Sequence, residues 1–224
     1  MTAGVKSTPW DERAFGIATF ALDNANIDTL EMTDKPGHYT VKVDPLQSKK
    51  TLHEHGFYYC DTLMQPFLTE DRFQFYKNSL VGIDSDLSSL DELSAIANNV
   101  FRHDRFHRDF NLSASGAGKR YHNWLRQIHR EGQVWPLKYD RRLAGFLASK
   151  GGHILLYGVK REFQSGGLSK YFWSEGCKKL FSEGHRELST SVSASNLAMV
   201  NLVVSLGFRF REAVDVYHKY IHED

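Results

Sequence analysis

The stretch Lys160 to Trp173, KREFQSGGLSKYFW, carries the residue pattern best suited to chemistry. Gly166 and Gly167 stand between an apolar run, HILLYGV, and a segment with helical spacing. A glycine turn that opens a helix leaves bare backbone N–H groups at the positive end of the helix dipole, where anions bind. Read as Gln164-x-x-Gly167-x-Ser169, the junction lets the N–H groups of Gln164, Ser165, Gly166, Gly167, Leu168, Ser169 and Lys170 converge on a pyrophosphate. An ordinary loop capped by Ser165 or Ser169 would use the same residues. A dinucleotide fingerprint is excluded, because the G-x-G-x-x-G spacing is absent.

Two further motifs invite chemistry and fail on inspection. In HDRFH, His103 and His107 have the spacing of the zinc motif H-E-x-x-H, with Asp104 in place of the glutamate. A catalytic zinc also needs a third ligand and a base of suitable reach, so no metal is expected. SGAGKR suggests a phosphate loop, but Ser113 takes the place of its first glycine and Arg120 that of its hydroxyl residue.

The rest of the chain must position these groups. At 224 residues it can form one domain with a substantial core, or two small halves sharing a sheet. A formal net charge of +1 gives no basic excess, which argues against a dedicated nucleic-acid binder. Cys60 and Cys177 lie far apart, in no metal or redox spacing, as expected in a reducing compartment. The first residues lack an apolar signal core, and no apolar run approaches the ~20 residues of a membrane helix. A cytoplasmic location without membrane contact is the expectation.

FGIATFAL and HYTVKV alternate as strands, and GFYYCDTLMQPFL is apolar and aromatic. Ser89 and Glu92 have the spacing of a capping box, followed by Leu93, Ile96, Ala97, Val100 and Phe101 at helical intervals. A second helix is read from Tyr121, Trp124, Leu125 and Ile128 to Gly132. Beyond it the pattern is strand, strand, strand, helix, strand, helix, strand, with turns near Asp140 and at Gly151-Gly152 and a helix end at Gly184. A soft boundary near residue 85 divides an α/β portion, 1–84, from a second portion, 85–224.

The order of elements over residues 133–221 resembles the GNAT acyltransferase superfamily. There a strand ends in valine, a Gln/Arg-x-x-Gly-x-Gly/Ala loop follows, and a later asparagine starts a helix that closes on Leu-Gly-Phe. Those positions are Val159, Gln164, Gly167, Ser169, Asn196 and Leu206-Gly207-Phe208. The resemblance implies an α/β (α+β) GNAT fold: a twisted mixed sheet flanked by helices, with a truncated N-terminal half packed on it. It also implies acetyl-CoA as co-substrate, its pyrophosphate on the loop from Gln164 to Lys170. The pantetheine would pair along Leu156, Tyr157, Gly158 and Val159, with Asn196 hydrogen-bonded nearby. A backbone N–H near Gly158 or Val159 would polarise the thioester. Where the family often places a general-acid tyrosine, this chain has Val203, and Tyr217 and His218 on the final strand become the alternatives by chain order.

A narrower resemblance links FRHDRFH, Tyr121-x-x-Trp124-Leu125 and WDERAFGI to sugar acetyltransferases of the dTDP-fucosamine type. It makes Arg105, His107 and Asp109 the acceptor-side wall, and a primary amine on a nucleotide-linked amino sugar the acceptor. It also suggests that Gly56-Phe57 echoes Gly207-Phe208. The expected protein is an acetyl-CoA-dependent N-acetyltransferase of small molecules, with no metal and no nucleic-acid partner, working alone or as a homodimer. The alternatives are another small amine or a peptide as acceptor, a longer acyl chain, or a non-catalytic acyl-CoA-binding module.

Overall fold

Strand pairing decides the architecture, because the last strand of each half lies beside the strands of the other. The computed structural model describes residues 4–86, 89–164 and 166–223. The first half runs β1 (Val5–Ser7), α1 (Pro9–Phe15), β2 (Thr19–Leu22), α2 (Ile27–Glu31), β3 (Gly37–Val43), α3 (Lys50–Glu54) and β4 (Tyr58–Thr69). It is followed by β5 (Val81–Ile83), α4 (Leu90–Val100), α5 (Arg105–Arg108), α6 (Ala114–Glu131), β6 (Gln133–Tyr139), β7 (Arg142–Lys150) and β8 (His153–Val159). The chain ends with α7 (Ser169–Ser182), β9 (Glu187–Thr190), β10 (Val192–Ser193), α8 (Leu197–Ser205) and β11 (Arg209–Ile221).

One mixed sheet has the order β1-β2-β3-β11-β4-β9-β8-β7-β6-β5, and β10 pairs with β4 beside this path. The parallel pairs are β2 with β3 and β8 with β9. Read outward from the central β11–β4 pair, the order is symmetric: β1, β2, β3 and β4 correspond to β7, β8, β9 and β11. In each set the last strand has crossed over, so β4 lies between β9 and β11, and β11 lies between β3 and β4. The residues 1–84 and 85–224 therefore share one sheet.

The approach to the two exchanged strands repeats in detail. Gly56 and Gly207 both adopt left-handed φ, 78° and 96°. Gly56 N–H donates to the His53 carbonyl at 3.0 Å and Phe57 N–H to that of Leu52 at 2.9 Å. Gly207 N–H donates to the Val204 carbonyl at 3.0 Å and Phe208 N–H to that of Val203 at 3.1 Å. Each helix thus ends in the same Schellman-type closure before a buried phenylalanine leads into the strand. The expected echo of Gly207-Phe208 in Gly56-Phe57 is present in the backbone.

Two apolar layers enclose the second half. Phe172, Trp173 and Leu180 of α7 pack with Val203 of α8 against Leu147 and Leu188. On the opposite face Leu93 and Ala97 of α4 and Leu125 and Ile128 of α6 cover Val134, Phe146 and Leu156. A third cluster, including Tyr39, Leu52, Phe57 and Tyr217, fills the first half. Both cysteines are buried and free. Among the described residues no helix is long and apolar enough to cross a membrane.

Three local readings need correction or detail. The capping box fails, since Ser89 caps α4 with no side-chain hydrogen bond and Glu92 instead pairs with Lys160 at 2.6 Å. Helix α6 begins at Ala114, earlier than Tyr121, with Ser113 Oγ accepting from Gly116 N–H at 3.1 Å. Its early glycines are poor helix formers, but a Cβ on Gly116 would meet the Phe15 ring at 2.5 Å and one on Gly118 the Asn98 carbonyl at 2.5 Å. The SGAGKR motif is therefore a close helix contact. The turn between β6 and β7 is a two-residue hairpin with positive φ at Asp140 and Arg141, 46° and 65°.

The paired glycines differ in their surroundings, and that difference is measurable. A Cβ on Gly56 meets nothing within 4 Å, whereas one on Gly207 collides with the Arg72 carbonyl. Gly56→Ala should cost about 1–2 kcal/mol, the strain of a left-handed residue alone. Gly207→Ala should cost at least about 1 kcal/mol more through overpacking, read as a lower urea midpoint at unchanged slope.

Candidate functional site

The site begins with a parallel pair that comes apart. β8 and β9 are paired only at His153–Ser189 and Ile154–Thr190. A register shift between Ala148 and Ser149 opposite β8 marks a bulge at Leu155, where the strand bends. Beyond it, Lys160 N–H donates to the Ala144 carbonyl at 2.8 Å. Antiparallel alternation from that bond directs the backbone of Leu156 and Gly158 to β7, and that of Tyr157 and Val159 into the gap. Gly158 must lack a side chain, since a Cβ would meet Phe146 at 2.7 Å and Val100 at 2.9 Å. An open edge inside a sheet is a natural dock for an extended chain.

The loop at the mouth of the gap is tied to β8 by Gln164, whose Nε2 donates to the Val159 carbonyl at 2.8 Å. That leaves the Val159 N–H and both backbone groups of Tyr157 facing the gap. Ser165 lies outside the described residues. Gly167 has φ 67°, a Cβ there would meet nothing within 4 Å, and one on Gly166 would meet only Leu168, at 3.7 Å. Among the described residues no side chain caps the start of α7, Ser169 included, so its first N–H groups stay available. Lys170 contributes backbone only, because its ammonium sits over the Tyr76 ring at 4.1 Å. Asn196 caps α8, its Oδ1 accepting from Met199 N–H at 3.2 Å, which leaves its NH2 group free to donate. Val203 is fully buried beside Leu206 and Phe208, and core packing accounts for it.

Next to Asn196 a polar chain runs inward. The exposed Ser195 hydroxyl lies 2.9 Å from that of Ser193, and Ser193 Oγ donates to Asp61 Oδ1 at 2.7 Å. Arg108 from α5 holds the same carboxylate oxygen at 2.7 Å and also donates to the Cys60 carbonyl. Asp61 is 1% exposed, and its Oδ2 has no hydrogen-bond partner among the described residues. Burial pushes its pKa above the usual carboxylate value, against the Ser193 hydrogen bond and the Arg108 charge. None of these residues was singled out from the sequence. The signal was a lone acid in the apolar run FYYCDTLM and the serine alternation of SVSAS.

The side chains expected from the α5 region turn into the structure. Arg105 stacks over Phe106 at 4.4 Å, and His107 Nδ1 lies 2.6 Å from Asp104 Oδ2. Asp109, on the loop after α5, sits at the centre of a buried cluster. His218 Nδ1 is 2.7 Å and His38 Nε2 3.0 Å from its Oδ2. The Tyr58 hydroxyl donates to both carboxylate oxygens at 2.9 and 3.0 Å, and Asn111 N–H donates to Oδ1 at 2.9 Å. The cluster joins β3, β4, β11 and the α5 loop. Tyr217 points the other way, against His53 and Tyr59. His38, Asp109 and His218 have the types and spacing to hold a metal ion. The second shell fits poorly, because a ligating histidine normally donates its other N–H and His218 Nε2 is buried without a partner. A hydrogen-bonded carboxylate between two imidazoles accounts for the geometry. His103 joins no such cluster among the described residues.

No protein-family model and no curated protein matches this sequence. Solved structures do match. A GCN5-related N-acetyltransferase from Sphaerobacter thermophilus superposes with a TM-score of 0.65 at 12% identity, over 98% of this chain and 76% of the other. The chain has the GNAT fold. A tandem GNAT protein from the clavulanic acid biosynthesis pathway matches with a TM-score of 0.58 at 12% identity, over 92% of this chain and 76% of the other. A glucosamine N-acetyltransferase region of a fungal multi-domain beta-N-acetylglucosaminidase gives 0.61 at 10% identity, over 90% of this chain and 30% of the other. The gap between β8 and β9 opens inside a sheet to which both halves of the chain contribute strands.

The Asp109 cluster sets a pH limit on stability. Burial lowers the His218 pKa to about 3, only partly offset by its bond to Asp109, against about 6.5 in an unfolded chain. Burial works against the Asp109 carboxylate as well, but hydrogen bonds from His218 and His38 hold its pKa well below the usual range. Both folded pKa values lie below the unfolded ones, so the unfolded chain takes up more protons as pH falls. Stability should decline from about pH 6.5 downward, by at most about 1.4 kcal/mol per pH unit from His218. The Asp109 contribution is lost below about pH 3.9. Urea midpoints at several pH values read this directly, and His218→Gln should be weaker at pH 7 with a shallower acid slope.

Proposed function

We propose that this protein is an acyltransferase that moves an acetyl group from acetyl-CoA to a primary amine. The observation that carries the reading is the gap beyond Ile154, where the unpaired backbone of Tyr157 and Val159 adjoins the glycine loop and the start of α7, on which no described side chain forms a cap. These residues fit the co-substrate. Backbone groups of Tyr157 would pair with the amides of an extended pantetheine, and N–H groups from Gly166 to Lys170 would hold a pyrophosphate. The NH2 group of Asn196 would reach the same arm from the α8 side. When bound, acetyl-CoA supplies an activated thioester carbonyl. The Val159 N–H polarises that carbonyl; Gly158, also considered from the sequence, has its N–H turned to β7.

An amine must lose a proton to act as nucleophile. Ser195 meets it at the surface, Ser193 passes the proton on, and Asp61 receives it. The raised pKa of Asp61 suits this task. Tyr217 and His218, the alternatives drawn from chain order, are buried in other clusters. With Val203 in the core, the departing thiolate takes its proton from solvent. Arg108 ties α5, which carries Arg105 and His107 and leads to Asp109, to this wall. For the acceptor we favour an amino sugar carried by a nucleotide. The narrower sequence resemblance supports that choice, and so does a fold neighbour described as acting on glucosamine.

Two experiments test the reading. Calorimetry should show acetyl-CoA binding to the wild type and to Gly167→Asn, and binding at least about tenfold weaker to Gly167→Asp. Both variants tolerate a left-handed φ, so the contrast isolates a negative charge facing the pyrophosphate. Equal binding by the two variants would move the co-substrate elsewhere. With an amine that is turned over, Asp61→Asn should lower kcat by about 10²–10⁴-fold and remove the acid limb of the pH–rate profile. Acetyl-CoA affinity should be unchanged.

A further inference from the structure

Outside the sheet, α1 and α6 enclose a cleft of about 500 Å³. Its walls include Trp10 and Arg13 from α1 and Arg120, Trp124, Arg126 and Arg130 from α6. The inner face of α6 buries Tyr121, Leu125 and Ile128, so a helix about 10 Å across separates this cleft from the sheet. Four guanidinium groups without a carboxylate in the lining are out of proportion to a chain of net charge +1. Two of them are paired, Arg120 with Asp11 of α1 at 2.5 Å, largely shielded from solvent, and Arg126 with the exposed Asp91 at 2.5 Å. Arg13 and Arg130 have no ion pair among the described residues. Trp10 leaves 47% of its surface in solvent, and the Arg120 guanidinium lies 5.1 Å from the centre of the Trp124 ring.

Two guanidiniums without an ion pair, beside the exposed Trp10 indole and the partly buried Trp124, match a ligand with an anionic end and a flat ring. Arginine forks bind phosphate oxygens, and indole faces stack on bases. The volume falls within the range of small-molecule sites. It suits one base with its phosphates, while the near-zero net charge lacks the wide basic field that a nucleic-acid strand requires. We propose that the α1–α6 cleft is a binding site for a nucleoside phosphate, separate from the acyl-transfer site. The ring lies against Trp10 and Trp124, and the phosphates lie between Arg13 and Arg130. Such a ligand would bridge α1 of the first half to α6 of the second and favour the arrangement in which they are docked.

The test is a titration of the full chain with UDP, followed by tryptophan fluorescence and calorimetry, with uridine and inorganic phosphate as partial ligands. UDP should quench fluorescence and bind with a Kd below about 1 mM, and each partial ligand at least about tenfold more weakly. Arg13→Gln combined with Arg130→Gln should weaken UDP binding about tenfold or more, as should Trp10→Ala. These are exposed positions, and acetyl-CoA binding by the same variants should not change. Undiminished UDP binding when acetyl-CoA is saturating excludes the co-substrate site, and its weakening in the arginine double variant separates the cleft from an acceptor pocket beside acetyl-CoA. Absence of UDP binding, equal affinity in the arginine double variant, or loss of UDP binding in the presence of acetyl-CoA would each overturn it.

Discussion

The exchange of β4 and β11 at the centre of the sheet is the constraint on which the other features rest. Each strand takes hydrogen bonds from the other half: β11 is paired along β3 and β4, and β4 along β11 and β9. The crossing brings Asp61 of the first half next to Ser193 of the second, through the short β10–β4 pair. It also brings His38, Tyr58 and His218 within reach of one carboxylate, Asp109, which pins the loop after α5. The wall of the candidate site and its nearest buried polar cluster both belong to the crossing and to neither half alone.

The shared pattern makes the differences between the halves informative. β2 stays paired with β3 along its whole length, from Thr19–His38 to Leu22–Val41, with no register shift. The equivalent strands β8 and β9 separate after two pairs because Leu155 bulges out of the ladder. One extra residue thus distinguishes a closed parallel pair from one with free backbone groups facing a gap. The loop, the glycines and the α7 start would contribute little if the strands behind them remained zipped. The first half has its sheet neighbours but no such opening, and it contributes Asp61 to the polar chain next to Asn196.

The features legible in the sequence were those written in backbone rules. Gly166, Gly167 and the run HILLYGV located the strand β8, the loop and the helix α7, since glycine placement and apolar periodicity are local signals. Gly56-Phe57 showed the internal echo for the same reason. The start of α6 was hidden because Gly116 and Gly118 are disfavoured by propensity and permitted only by the close approach of Phe15 and Asn98. Asp61, Ser193 and Arg108 were hidden by distance along the chain, since their meeting depends on a strand exchange that no local pattern encodes. Arg105, His107 and Asp109 drew attention as polar residues in a loop. Their polarity is largely satisfied inside the protein, and their neighbour Arg108 reaches the site wall.

The crossing also sets the order of events during synthesis. β11 is made after every other strand of this sheet, yet it belongs in the middle of it. Until it emerges, β3 and β4 each present an unpaired edge, and the first half has no central strand with which to close. Contacts that span most of the chain make folding slow, and exposed strand edges invite pairing between molecules. A nascent chain would therefore expose these edges until the thirteen-residue strand Arg209–Ile221 has emerged to pair with both.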